Sequence, residues 1–323
     1  MNDANNLLKQ RRVVVVLQIA VLLFILGGLF SAYLMQKGQT ATVKQSVENG
    51  AAAIKKDAGP IPQKLSGVEV RAKAAYVWDV QNQRALYTKN AETALPLASI
   101  TKLMTALMAH ELVDQNQNAV VSTRALLEEG SSGLAPGERL TYVELNKLAL
   151  VSSSNDAAYA LGASVGSLLG DNDPTAQFVS GMNIRADELK LSTLKFKNTT
   201  GLDLSPSEAG AVGSARDVSF LMEYILKNDA EILAPTTKST GRAYSTSGEY
   251  HDYENTNEVI YAIPNLLGSK TGFTDLAGGN LTVAFDAGLN RPIIVTVLGS
   301  TREERFSDVV RLVNAVRDNI SEL

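Results

Sequence analysis

Three short motifs, Ser99-Ile100-Thr101-Lys102, Ser153-Ser154-Asn155 and Lys270-Thr271-Gly272, stand in that order along a chain of 323 residues. Together they hold a nucleophile, a base and a clamp for an anion, so any fold this chain adopts has to bring three distant stretches to one cleft. A serine hydroxyl is a poor nucleophile at neutral pH and needs an adjacent base, and a lysine three residues on faces it across one helical turn. The set predicts acyl-serine chemistry.

The first motif alone would prove little, because Ser192-Thr193-Leu194-Lys195 repeats its pattern. Context separates the two. Ser99 leads into Leu103, Met104, Ala106, Leu107 and Met108, a run that reads as a buried helix starting at or near the serine, with Ser99 and Lys102 on one face. Ser192 lies in a stretch that partly alternates polar with apolar, so it reads as a strand whose residues three apart point to opposite faces. It is taken as structural. The second motif is a polar corner between two apolar helical stretches, and a corner can aim side chains into a cleft. Its plainer reading is a helix break at residues 152–154, with Asn155 or Asp156 as cap. The third motif precedes a clear strand, and an edge strand there could present Lys270 to an anion; by itself it would more often be a charged edge that blocks sheet-to-sheet pairing.

In one order and in these contexts, the trio resembles the signature shared by class A β-lactamases and penicillin-binding proteins, which has a Ser-Asp-Asn variant in the middle. Leu97-Ala98-Ser99-Ile100-Thr101-Lys102-Leu103-Met104-Thr105-Ala106 resembles the active-site segment of one branch, the low-molecular-weight penicillin-binding proteins, which are serine-type D-alanyl-D-alanine carboxypeptidases. Residues 136–141, 153–158, 178–183, 200–202, 214–217 and 268–278 are similar to that family too, and the similarity covers roughly 72–313. Two positions depart from it: Phe273 stands where many relatives carry His, and Ser154 where Gly is common.

The resemblance implies the penicillin-recognising serine-enzyme fold of α+β class, an antiparallel sheet flanked by helices, with the cleft between sheet and helical lobe. It implies removal of the terminal D-alanine from peptidoglycan stem pentapeptides through an acyl-enzyme on Ser99, with β-lactams as covalent inhibitors and no cofactor or metal. Lys102 would take the serine proton, held neutral by burial and by the charge of Lys270. Ser153 would relay the proton to the leaving residue, and Asn155 would orient Lys102 and the substrate amide. Lys270 and Thr271 would hold the terminal carboxylate, while the strand through Gly272 would set the backbone N–H of Phe273 beside that of Ser99 as oxyanion donors. Two alternatives stay open: an endopeptidase cutting D-alanyl cross-links, which presents the same acyl donor, and a tethered pseudoenzyme, against which the intact motifs argue.

Residues 13–35 form an apolar stretch whose only clearly polar members are Gln18 and Ser31, and ~20 such residues span a bilayer. Lys9, Arg11 and Arg12 precede it, which favours a cytoplasmic tail at 1–12, a transmembrane anchor at 13–35 and translocation of the rest. The core is longer than that of a cleaved signal peptide, and no small-residue cleavage site follows it. Residues 36–66 are polar, close on Gly59-Pro60-Ile61-Pro62 and read as an extracytoplasmic stalk; 67–323 form the catalytic domain.

A net charge of -4 gives no reason to expect nucleic acid, and the absence of cysteine removes disulfides and Cys zinc sites. The two histidines, His110 and His251, lack partner motifs and read as surface or packing residues. Strands are predicted at 74–79, 84–87, 280–286 and 292–298, the last two joined by a hairpin at 287–291. A mostly helical middle runs through about 228, and the tail from 302 to 320 has helical spacing. Early strands, helices, late strands and a last helix suit an antiparallel sheet with helices on its faces.

Overall fold

The computed structural model of the chain describes residues 65, 67–130, 132–170 and 173–323. The expected anchor at 13–35 and all of the expected stalk but Leu65 lie outside these. Among the described residues no helix is long and apolar enough to cross a membrane. Leu65 is fully buried in the sheet's hydrophobic core.

Five strands form the main sheet: β1 (Ala74–Asp79), β2 (Arg84–Lys89), β3 (Leu266–Thr274), β4 (Gly278–Asp286) and β5 (Pro292–Ser300). They run antiparallel in the order β3-β4-β5-β1-β2, so an early strand is sealed against a late one, with Val77 opposite Val295. The predicted hairpin joins β4 to β5, its Ala287 N–H donating to Arg291 O at 3.0 Å.

Alternation along these strands supplies two apolar faces. Ala75, Val77, Leu281, Val283, Val295 and Val297 pack against Phe306, Val309, Leu312 and Val313 of the tail helix, Glu304–Asn319. On the opposite face Tyr76 and Trp78 meet Phe220 of the helix Ala215–Asn228, with ring centroids 6.1 and 5.0 Å apart. Thr296 on that face shares a 2.7 Å hydrogen bond with Ser219 of the same helix. Burying such aromatic side chains contributes on the order of 2 kcal/mol each.

The chain between β2 and β3 builds the helical lobe, from α1 (Lys102–Leu112), α2 (Tyr142–Leu150), α3 (Asn155–Leu169) and α4 (Pro174–Glu188). Helix α1 buries every residue from Lys102 to Ala109, as expected of a helix apolar on all sides. The middle is less purely helical than predicted. Short pairs join Asn118–Val120 to Arg139–Thr141 and Lys195–Phe196 to Ala211–Gly213; beyond that middle, Thr240–Tyr244 and Tyr250–Glu254 form a separate hairpin.

The second Ser-x-x-Lys match falls mostly in a turn; only Lys195 enters a two-residue strand. Ser192 and Lys195 are both exposed, and Lys195 pairs with Asp187 at 3.1 Å. The structural reading stands and the strand is corrected to a turn, because Thr193 donates its N–H and hydroxyl to Asp217.

Candidate active site

Ser99 lies on a single 3-10 turn, Ala98–Thr101, that runs directly into α1, so Lys102 is the first α-helical residue. Ala98, just before the nucleophile, has φ +48, a left-handed conformation that costs a non-glycine residue of order 1–3 kcal/mol and persists only where its surroundings enforce it. Those surroundings are specific. Asn280 of β4 donates to both Pro96 O and Leu97 O at 3.0 Å. Gly201, at φ +82, approaches so closely that a Cβ there would stand 1.9 Å from Ala98 O. A Cβ at Gly272 would stand 2.8 Å from Leu97 O and 3.1 Å from Ser99 N, so the third motif lies directly against the nucleophile turn.

Lys102 is completely buried, and its Nζ stands 2.7 Å from Ser99 Oγ, 2.6 Å from Asn155 Oδ1 and 2.9 Å from Thr200 O. Burial disfavours the ammonium and brings its pKa down to about 7, against a smaller opposing pull from Glu128. Burial, together with the nearby charges of Lys102 and Arg305, likewise holds Lys270 well below an ordinary lysine. In neutral Lys102 two N–H bonds satisfy Asn155 and Thr200, leaving the lone pair facing Ser99 Oγ. That is the geometry of a base ready to accept the serine proton.

The second motif forms the sharp corner before α3. Ser153 sits at φ +61, and Ser154, rather than Asn155 or Asp156, caps the helix by accepting from Ala157 N–H. The capping by Ser154 frees the Asn155 amide for the site, where it also donates to Glu129 O at 2.6 Å. Ser132 lies against Ser154 and donates its N–H to Asp156 at 3.0 Å, which fixes the loop carrying the Glu129 carbonyl.

β3 is an edge strand, as anticipated, but its lysine is no solvated edge charge. Lys270 is 1% exposed and its Nζ donates to Ser153 Oγ and Thr271 O, both at 2.9 Å. Thr271 Oγ1 is 2.5 Å from Thr256 Oγ1, and Phe273 faces outward at the strand's rim. All eight expected residues therefore fall on three elements, α1, α3 and β3, and two turns around one cleft, with the two lysines linking the motifs pairwise.

Sequence reading missed several contributors. Arg305, on the tail helix, donates Nη1 to Gly272 O at 2.8 Å and is 6% exposed. Thr200 and Glu129 act through backbone carbonyls, which leave no mark on residue type. Gly201 is the one with a local signal, a glycine in a stretch already similar to the family. The histidines stay with the packing reading: His251 pairs with Glu138 at 2.6 Å, and His110 lies 3.5 Å from Asp229.

A serine faced by a buried lysine, between an antiparallel sheet and a helical lobe, defines a serine enzyme of the Ser-Lys type. The chain belongs to the D-alanyl-D-alanine carboxypeptidase family, whose model matches residues 61–302. It is 32% identical over 262 residues to the D-alanyl-D-alanine carboxypeptidase DacF of Bacillus subtilis, covering 78% of this chain and 64% of that one, just under two thirds of the relative's length. It is 29% identical to a D-alanyl-D-alanine endopeptidase of Pseudomonas aeruginosa, covering 76% of each. Among solved structures, a penicillin-binding protein of Listeria monocytogenes in its ampicillin-bound form matches at a TM-score of 0.63 and 28% identity, covering 77% of this chain and 98% of that one.

Proposed function

We propose that this protein is a serine DD-peptidase that removes the terminal D-alanine from peptidoglycan stem peptides. The observation that carries the reading is the fully buried Lys102, with Nζ 2.7 Å from Ser99 Oγ. Ser99 attacks the carbonyl between the two D-alanines while Lys102 takes its proton. The N–H groups of Ser99 and Phe273 receive the oxyanion, a contact whose loss typically costs about 10²- to 10³-fold in rate. Ser153, held by Lys270, passes a proton to the departing amine. Water then releases the acyl group. Release of D-alanine from a synthetic pentapeptide tests the reading; no release by pure protein would sink it.

Lys270, Thr271 and Arg305 form the receiving end for the substrate's terminal carboxylate. A carboxylate entering there favours the charged form of Lys270 that burial had disfavoured. Lys270→Ala is therefore expected to weaken kcat/KM roughly 10- to 100-fold for substrates with a free terminal carboxylate, through loss of a charge-assisted contact. Amidated analogues should lose much less, and equal losses for both would refute the clamp.

Similarity to an endopeptidase as well as a carboxypeptidase supports a second reading, cleavage of D-alanyl cross-links, because both reactions give Ser99 the same acyl donor. Penicillins and related β-lactams are read as covalent inhibitors acting on the same serine. The apolar run at 13–35 with its preceding basic residues supports tethering to the bacterial cell membrane with the catalytic domain outside. Protease added to intact spheroplasts should then digest the catalytic domain and spare a tag at Met1; a protected domain would reverse the orientation.

A further inference from the structure

At the open rim of the cleft Phe273 is 38% exposed, and the guanidinium carbon of Arg302 stands 5.0 Å from its ring centroid. The ring quadrupole attracts a cation held over its face. Arg302 is exposed, and among the described residues it makes no ion pair; the nearby Glu304 turns instead to Arg71 at 3.4 Å. A surface arginine without an acidic partner is free to meet an incoming anion, and this one is placed by a ring that belongs to the third motif's strand.

Behind Arg302 the positive groups continue inward. The charge of Arg302 helps to lower the pKa of buried Arg305 to about 10, after the larger effect of burial. Arg305 holds Gly272 O and in turn disfavours the ammonium of Lys270, whose Nζ rests on Ser153 Oγ. Three basic groups, Arg302, Arg305 and Lys270, thus lead from solvent to the second motif, with Glu258 and Glu303 partly offsetting the field at Arg305, and the outermost is the one a solute meets first.

We propose that Arg302 is a specificity-determining residue, which from its seat on Phe273 draws the carboxylate of the acyl donor toward Arg305 and Lys270. The inference rests on the serine-peptidase reading above and names a recognition element outside the three motifs. It also gives Phe273 a physical role. A histidine at this position would add a titrating cation beside Arg302, whereas phenylalanine offers a neutral platform at every pH. Attraction between an exposed guanidinium and a carboxylate raises the population of the encounter complex by about fivefold at contact distance in water. The effect is screened by salt, with a Debye length of about 10 Å at 0.1 M.

The test compares second-order acylation rates with benzylpenicillin and with its uncharged methyl ester, at low and high salt, for wild type, Arg302→Gln and Arg302→Lys. With benzylpenicillin at low salt, Arg302→Gln should be about fivefold slower than wild type, with a flatter salt dependence and convergence at high salt. Its rate with the ester should match wild type. Arg302→Lys, which keeps the charge but loses the planar guanidinium that stacks on the ring, should fall between. Equal rates for Arg302→Gln and wild type with benzylpenicillin at low salt, or an equal slowing with the ester, would overturn the proposal and leave the peptidase reading intact. A wild-type protein acylated by neither compound would overturn both.

Discussion

Lys102→Ala is expected to slow acylation of Ser99 by ~10²- to 10⁴-fold, the range typical of losing a positioned general base. Little else near the serine can replace it: among the described residues, Lys102 is the only hydrogen-bond partner of Ser99 Oγ. The variant also leaves Asn155 Oδ1 and Thr200 O without their shared donor, and water entering the space can satisfy those acceptors without acting as a comparable base. Stopped-flow acylation by a chromogenic penicillin measures the loss; a variant within about tenfold of wild type would remove Lys102 from the base's role.

The same residue fixes two pH dependences. Only neutral Lys102 can accept the proton, so acylation by wild type should rise with pH through about 7 and level off above it. Stability follows the opposite side of the same linkage. The folded pKa lies below the ordinary lysine value of 10.5, so the folded state binds fewer protons than the unfolded one between those values. Stability from this group is complete above 10.5 and is lost as pH falls toward about 7. Lys102→Ala should accordingly flatten the alkaline rise in unfolding free energy as well as abolish the acylation profile. A rate that still titrates near 7 in the variant would assign the profile to another group.

The parts legible in the sequence were those where residue type and spacing encode geometry directly. The apolar stretches at 280–286 and 292–298 with a short Gly-containing link between them marked two strands of the central sheet, and the apolar run after Ser99 marked a buried helix, because period and burial are properties of side chains. The hairpin at 240–254 escaped because only Ala243 and Tyr253 of its strand residues are buried, too few to show a pattern. The cap was misplaced by one or two residues because Ser, Asn and Asp are near-equal as N-caps; what decides is that Asn155 is drawn to Lys102. Arg305 and Asn280 act across 33 and 183 residues of chain, on Gly272 and Leu97 respectively, so tertiary packing alone brings them to the cleft. That burial above all brings Lys102 down to about 7 and holds Lys270 well below an ordinary lysine needed burial to be known residue by residue.

Ser99→Ala carries the second large effect, loss of covalent chemistry altogether. The substitution removes the one atom to which an acyl group can be bonded and leaves the buried lysine, the corner at Ser153 and the edge strand in place. Acylation must be distinguished from tight binding, so the reading is a mass and not a rate. Persistence matters too. No carboxylate hydrogen-bonds to Ser99 or Lys102 among the described residues, and a Glu-x-x-Leu-Asn segment of the class A lactamase kind is missing after the second motif. Glu128, the acidic side chain whose charge reaches Lys102, is held by Arg124 at 3.0 Å. Nothing therefore drives water rapidly onto a penicilloyl ester whose bulky ring fragment stays in the cleft. Intact-protein mass spectrometry after mixing with benzylpenicillin, followed by peptide mapping, should show one lasting adduct located on Ser99 and none in Ser99→Ala. An adduct that survives in Ser99→Ala or maps to Ser192, or multiple-turnover hydrolysis with no adduct accumulating, would contradict a serine DD-peptidase built on Ser99 and Lys102.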